Sequence, residues 1–227
     1  MATARALVSR LMEGLGVVEA DGRVPRAMLG RPLRATRFVS IDLETTGLDR
    51  RRDAIVSVAA VEIDGLAPVE PPALNALVAP GRGIPAAATA IHGITDSMVA
   101  GAPPIDRLLP AIVELCAGAV VVGHHVAFDI AMLRGAARAA GHSMPPLAWL
   151  DTWRMAGALD PRLAHRDMAD IARRLGVDPD AFRRHDALDD ARLAARLFVR
   201  LADRYAELGH ATLGAVEAMS RRWRPAG

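Results

Sequence analysis

The hydrophobic pattern of this chain changes character halfway along, and that change limits the architectures open to it. In the first half, three strand-like runs at 37–42, 54–63 and 74–78 follow one another, parted by a charged turn at 49–53 and by Asp64-Gly65, with Pro80-Gly81 closing the third. Short turns between adjacent strands predict an antiparallel meander. In the second half, helical stretches at 87–90, 96–100 and 106–117 lead to a fully apolar strand at 119–122. A helix at 127–140, a short strand at 147–151 and a long helix at 188–208 follow. Strands first, then strands alternating with helices, predict an α/β fold with a mixed five-stranded sheet flanked by helices.

Three segments are expected. Residues 1–36 read as an extension: an amphipathic helix over 4–16, with Leu7, Val8, Leu11, Met12 and Leu15 at helical spacing, and then a connector broken by Asp21-Gly22, Pro25, Gly30 and Pro32. Residues 37–210 form the main domain, and 211–227 a basic tail containing Arg221-Arg222-Trp223-Arg224.

Hydrophobic residues make up 52% of the chain and aromatics only 4%, so the core is expected to be aliphatic. All 28 basic residues are arginine. Any side-chain cation that meets a phosphate therefore presents a planar, permanently charged fork. The net charge of +2 does not by itself announce a nucleic-acid binder. Cys116 is the single cysteine, which excludes an intrachain disulfide and fits a reducing compartment such as the cytoplasm. No apolar run approaches the ~18 residues of a membrane span, so no membrane association is expected.

Three clusters carry chemistry. In Ile41-Asp42-Leu43-Glu44-Thr45-Thr46-Gly47, Asp42 and Glu44 stand two apart at a strand end and so share a face. Paired carboxylates repel unless a cation lies between them, and hard oxygen ligands suit Mg²⁺ or Mn²⁺. In Gly123-His124-His125-Val126-Ala127-Phe128-Asp129, Asp129 falls near a helix N-terminus, a favourable place for a carboxylate with or without a metal. In His185-Asp186-Ala187-Leu188-Asp189-Asp190, a helix starting between His185 and Asp190 would turn Asp190 inward and leave His185 on the preceding loop. Each cluster alone has an ordinary structural explanation.

Together, in this order, the clusters resemble the three motifs of the DnaQ-like, DEDDh-type 3′–5′ exonucleases, a family that includes polymerase proofreading subunits, RNase T and oligoribonuclease. Asp42 and Glu44 match D-x-E-T-T-G, Asp129 the aspartate of H-N-x-x-F-D, and His185 and Asp190 H-x-A-x-x-D-A. Ile91-His92-Gly93-Ile94-Thr95 and Leu150-Asp151-Thr152 resemble intervening landmarks, and the likeness covers roughly residues 37 to 205. One departure is His125, where the family usually has asparagine.

The resemblance implies an RNase H-like fold and a two-metal phosphodiesterase. Asp42, Glu44, Asp129 and Asp190 would hold two Mg²⁺ or Mn²⁺ ions, with His185 taking a proton from the attacking water. Thr45, Thr46, Gly47 and Leu48 would seat the terminal nucleotide. His92 is a candidate contact for its phosphate or sugar, and Phe128 a candidate stacking surface for a base. The expected substrate is a nucleic-acid 3′ end, single-stranded DNA ahead of RNA, with a nucleoside 5′-monophosphate released. An RNase T-like or oligoribonuclease-like exoribonuclease would use the same residues, because the 2′-hydroxyl contacts that tell RNA from DNA are not legible. The stripe from Leu7 to Leu15 would suit docking on a polymerase or other protein, or a homodimer.

Overall fold

The structure is a computed structural model that describes residues 22–223. The helix expected over 4–16 and Arg224 lie outside the described residues. Strands β1 (Phe38–Thr45), β2 (Ile55–Asp64), β3 (Ala67–Pro68) and β4 (Leu74–Leu77) come first. Helices α1 (Ala86–His92), α2 (Asp96–Val99) and α3 (Ile105–Cys116) lead to β5 (Val120–Gly123), α4 (Val126–Ala139) and β6 (Trp149–Asp151). Helices α5 (Thr152–Leu159), α6 (Met168–Arg174), α7 (Ala187–Glu207) and α8 (Leu213–Arg222) complete the described chain.

The sheet is mixed, as the change of pattern predicts, with order β3-β2-β1-β5-β6. β1 pairs antiparallel with β2 and parallel with β5, and β5 runs parallel to β6. There is one more strand than expected. β2 is long enough to take two short partners on one edge, β4 along Ser57–Ala60 and β3 at Ile63 and Asp64. β3 is only two residues long and follows the Asp64-Gly65 turn, so no alternating pattern marks it.

Alternation along β1 divides the core into two layers. Val39, Ile41 and Leu43 face one layer with Ile130 and Leu133 of α4. Phe38 faces the other with Leu193, Leu197 and Phe198 of α7. The scarce aromatics are placed where they fill most: Phe38 stacks on Phe198 with centroids 4.6 Å apart, and the buried Tyr205 hydroxyl donates to the Met155 carbonyl. Cys116 is buried in the α4-side layer, and burial pushes its thiol up to about 12, so it stays a protonated packing group.

The described part of the connector is tied to the body. The Trp149 N–H donates to the Gly22 carbonyl, Leu33 N–H to the Ala211 carbonyl, and Val24 N–H to Glu217 Oε1. The segment expected to be a basic tail contains α8. Its apolar side buries Leu213 and Val216, and Trp223 packs on Trp153 at 4.9 Å. Arg221 and Arg222, in the last turn of α8, give the end of this helix the look of a basic tail in the sequence.

Candidate active site

β1 brings the first two carboxylates forward. Ser40, Asp42 and Glu44 share the face towards α7, and the Ser40 hydroxyl donates to the Ala191 carbonyl at 2.8 Å. That bond joins strand and helix directly beside Asp190. Ser40 was not singled out in the sequence; a serine in an otherwise apolar strand interior was the available signal.

β5 ends at Gly123, where an added Cβ would lie 2.9 Å from the Ile41 carbonyl. The close approach of β5 to β1 therefore requires glycine. The chain turns through His125, which has a left-handed φ of 62°, into α4. Asp129 sits in the first turn of α4, and its Oδ1 accepts the Leu43 N–H at 3.1 Å, between Asp42 and Glu44.

The third cluster opens α7. Asp186 caps the helix by accepting the Asp189 N–H. Asp190, 5% exposed, points inward, and its Oδ2 accepts the His185 N–H at 3.0 Å. Arg184 Nε lies 3.1 Å from the other oxygen, Oδ1. Ligand atoms of Glu44, His185 and Asp190 all fall within 4.8 Å of one another.

All eleven residues selected from the sequence line one cavity of about 350 Å³. Asp42, Glu44, Asp129, His185 and Asp190 share it with the Thr45–Leu48 turn, Phe128 and His92 of α1. Arg184 and Met168, which the sequence does not single out, also line it, as does the exposed Ile91 of the landmark around His92. Arg184 is hard to distinguish among 28 arginines; its place next to His185 was the one clue. Arg50 and Arg51 line a separate cavity of about 430 Å³ against α4.

Several candidate substrate contacts have local duties as well. Thr45 Oγ1 donates to the Gly47 carbonyl, and Thr46 Oγ1 donates to Asp53 Oδ1 and accepts the Ala54 N–H. Their hydroxyls build the turn, leaving backbone and Leu48 to face the cavity. His92 Nδ1 accepts the Ile94 N–H, and burial holds the ring below the usual histidine range, partly offset by the Thr45 carbonyl. His92 therefore ties α1 to the end of β1 as a neutral ring.

The acids raise one another's protonation. Asp42 is pushed well above the ordinary carboxylate range by burial, then by Asp190, Asp129 and Glu44, with Arg184 opposing. Glu44 is pushed up to about 8 by burial, then by Asp190, Asp129 and Asp186, again against Arg184. Asp129 is raised by burial despite its N–H donors. Four carboxylates converging this closely, in a donor set rich in oxygen, suit hard divalent cations, whose charge would reverse those shifts.

Comparison with known proteins identifies the family and the fold. Residues 39–198 match the RNase T family of exonucleases. A DNA polymerase III subunit epsilon-like protein of Rhodobacter capsulatus is 37% identical over 191 residues, 84% of this chain and 27% of that protein. The DNA polymerase III subunit epsilon of Aquifex aeolicus is 32% identical over 166 residues, 73% of this chain and 80% of that one. The solved structure of exonuclease X in complex with 5′-overhanging duplex DNA is 26% identical with a TM-score of 0.61, covering 80% of this chain and 99% of that one. The chain spans little more than a quarter of the Rhodobacter protein, so only the shared domain is compared. With motif order, RNase H-like sheet and relatives in agreement, the chain belongs to the DnaQ-like, DEDDh-type exonuclease family.

Proposed function

We propose that the protein is a metal-dependent 3′–5′ exonuclease that trims single-stranded DNA and releases nucleoside 5′-monophosphates. The observation that carries this reading is the convergence of Asp42, Glu44, Asp129, Asp190 and His185 on one open cavity. The four carboxylates would hold two divalent ions, Mg²⁺ or Mn²⁺, which supply positive charge for the attacking and leaving oxygens.

The chain's own groups do the rest. His185 accepts the proton of the attacking water, the general-base task for which an imidazole is the commonest side chain. The Thr45–Leu48 turn and Phe128 seat the terminal nucleotide, and His92 lines the same cavity beside its phosphate or sugar. The relatives named as DNA polymerase III subunits, and exonuclease X bound to DNA, support DNA as the substrate.

An end-labelled degradation assay with matched DNA and RNA strands, in Mg²⁺, Mn²⁺ or chelator, tests the proposal. Shortening from the 3′ end of DNA, abolished by chelator, is expected. Faster loss of RNA would transfer the reading to an RNase T-like exoribonuclease. His185→Ala is expected to lower turnover ~10²–10⁴-fold with metal binding retained, the usual worth of a general base. Asp42→Ala is expected to abolish both, and full activity in either variant would remove these roles.

The polymerase relatives also support docking on a polymerase, or self-association, through the N-terminal stripe, in a cytoplasmic setting. A pull-down with residues 1–21 deleted tests this. The deletion stops there because Val24 and Leu33 are buried in the domain.

A further inference from the structure

The cavity contains one cation among the described residues that line it, Arg184. Its arginine neighbours in sequence and on α7 are satisfied at the surface. Arg183 pairs with Asp186 and Asp189, and Arg192 with Glu70 and Asp189. Arg184 instead turns inward. Its side chain is 24% exposed, and Nε lies 3.1 Å from Asp190 Oδ1, itself on a side chain 8% exposed.

The contact is one of charge rather than of good hydrogen-bond geometry. Nε and Nη1 of Arg184 are buried without a hydrogen bond. Burying guanidinium donors in this way is costly, and a guanidinium cannot relieve the cost by losing its proton. The same charge is favourable to the acids: Arg184 opposes the upward push on both Asp42 and Glu44. One fixed positive charge thus stands among four mutually repelling carboxylates.

The oxygens of Asp190 are divided. Oδ2 is engaged by the His185 N–H, and Oδ1 faces the guanidinium. A divalent ion bound through Oδ1 would require the same oxygen. We propose that Arg184 is a built-in counter-cation of the acid cluster, competing with divalent metal for Asp190 Oδ1 and thereby setting the metal concentration at which the site fills. This rests on the metal-binding reading above. Arg184 is a positioning residue here: it holds the cluster together without metal and yields its place when metal enters.

The direction of the effect separates this from a packing role. A substitution that merely loosened the His185 loop would weaken metal binding, whereas removal of a competitor strengthens it. An opposite charge within ~4–6 Å of a carboxylate commonly changes its ionisation constant ~10–1,000-fold, and competition at Oδ1 draws on the same attraction.

The test is calorimetric titration of the full chain with Mg²⁺, without nucleic acid, at about pH 8.5 so that protons compete little. Arg184→Gln is expected to bind Mg²⁺ about tenfold tighter than wild type, or more. In chelator it is expected to melt at a lower temperature than wild type, and to recover when saturated with Mg²⁺. Arg184→Lys, which keeps the charge, is expected to stay close to wild type. Arg184→Met keeps the apolar stem and gives the same reading if the Gln variant does not fold. Equal or weaker Mg²⁺ binding by the charge-free variant overturns the proposal. Failure of wild type to bind Mg²⁺ or Mn²⁺ at all would instead overturn the metal-binding reading beneath it.

Discussion

The backbone N–H of His185 donates to Asp190 Oδ2 at 3.0 Å while His185 holds a left-handed φ of 60°. The proposed base is thus placed by the proposed metal ligand, at a backbone angle that costs a non-glycine residue ~1–2 kcal/mol. His185→Gly and His185→Ala remove the same ring, but only glycine relieves the strain. After allowance for the greater chain entropy of glycine, His185→Gly should be more stable by about 1 kcal/mol in denaturant unfolding. Equal stabilities would mean that the strain is not stored at this residue.

Glu44 carries a pH signature. Its carboxyl is pushed up to about 8 in the folded chain from an ordinary value of 4.5, chiefly by burial. Between those values the folded chain holds more protons than the unfolded one, so stability falls as pH rises. Without metal, the melting temperature should decline from about pH 5 to pH 8, a fully shifted group contributing at most ~1.4 kcal/mol per pH unit. Asp42 and Asp129 are raised in the same direction, so Glu44→Gln should flatten the slope without abolishing it. A melting temperature that climbs across this window would contradict the burial of these acids.

The chemistry of this site was more legible than its supports. Asp42 and Glu44 were readable because strand periodicity puts them on one face, and Asp129 and Asp190 because each sits in the first turn of a helix. Ser40 was not, because its role is a bond to a carbonyl of α7, 151 positions away in the chain. β3 escaped because two residues show no period, and α8 because Arg221 and Arg222 in its last turn make its end resemble a basic tail. Arg184 escaped because an arginine-rich composition removes the contrast by which a functional cation is noticed.

His125 stands where the family usually has asparagine, and the fold accommodates either. Its φ of 62° suits asparagine at least as well as histidine, and its N–H donates to Asp151 Oδ1 whatever the side chain. The ring packs on Trp153 at 4.8 Å. His125→Asn should therefore change stability by no more than about 1 kcal/mol, relieved strain offsetting lost contact. Asp151→Ala should cost about 2 kcal/mol or more, because Oδ1 also accepts the Trp153 N–H and both donors would lose their partner. Chemical denaturation of the two variants decides it, and a larger loss for His125→Asn would mean that the ring, rather than the Asp151 carboxylate, holds this turn.

Gly47 is required by Asp53. A Cβ on residue 47 would lie 2.5 Å from Asp53 Oδ2 and 2.8 Å from its Cγ. That carboxylate binds the Thr46 hydroxyl and the Asp49 N–H, and so fixes the turn that presents Leu48 to the cavity. Gly47→Ala should cost ~1–3 kcal/mol, the usual range for overpacking, and raise KM as the turn shifts. Asp53→Ala removes the atoms that would clash, so in the double variant the alanine at 47 should add little further cost. A double-mutant cycle should therefore be non-additive by about 1 kcal/mol or more. Strict additivity would show that the two residues do not meet, and that Gly47 serves the incoming nucleotide rather than the turn.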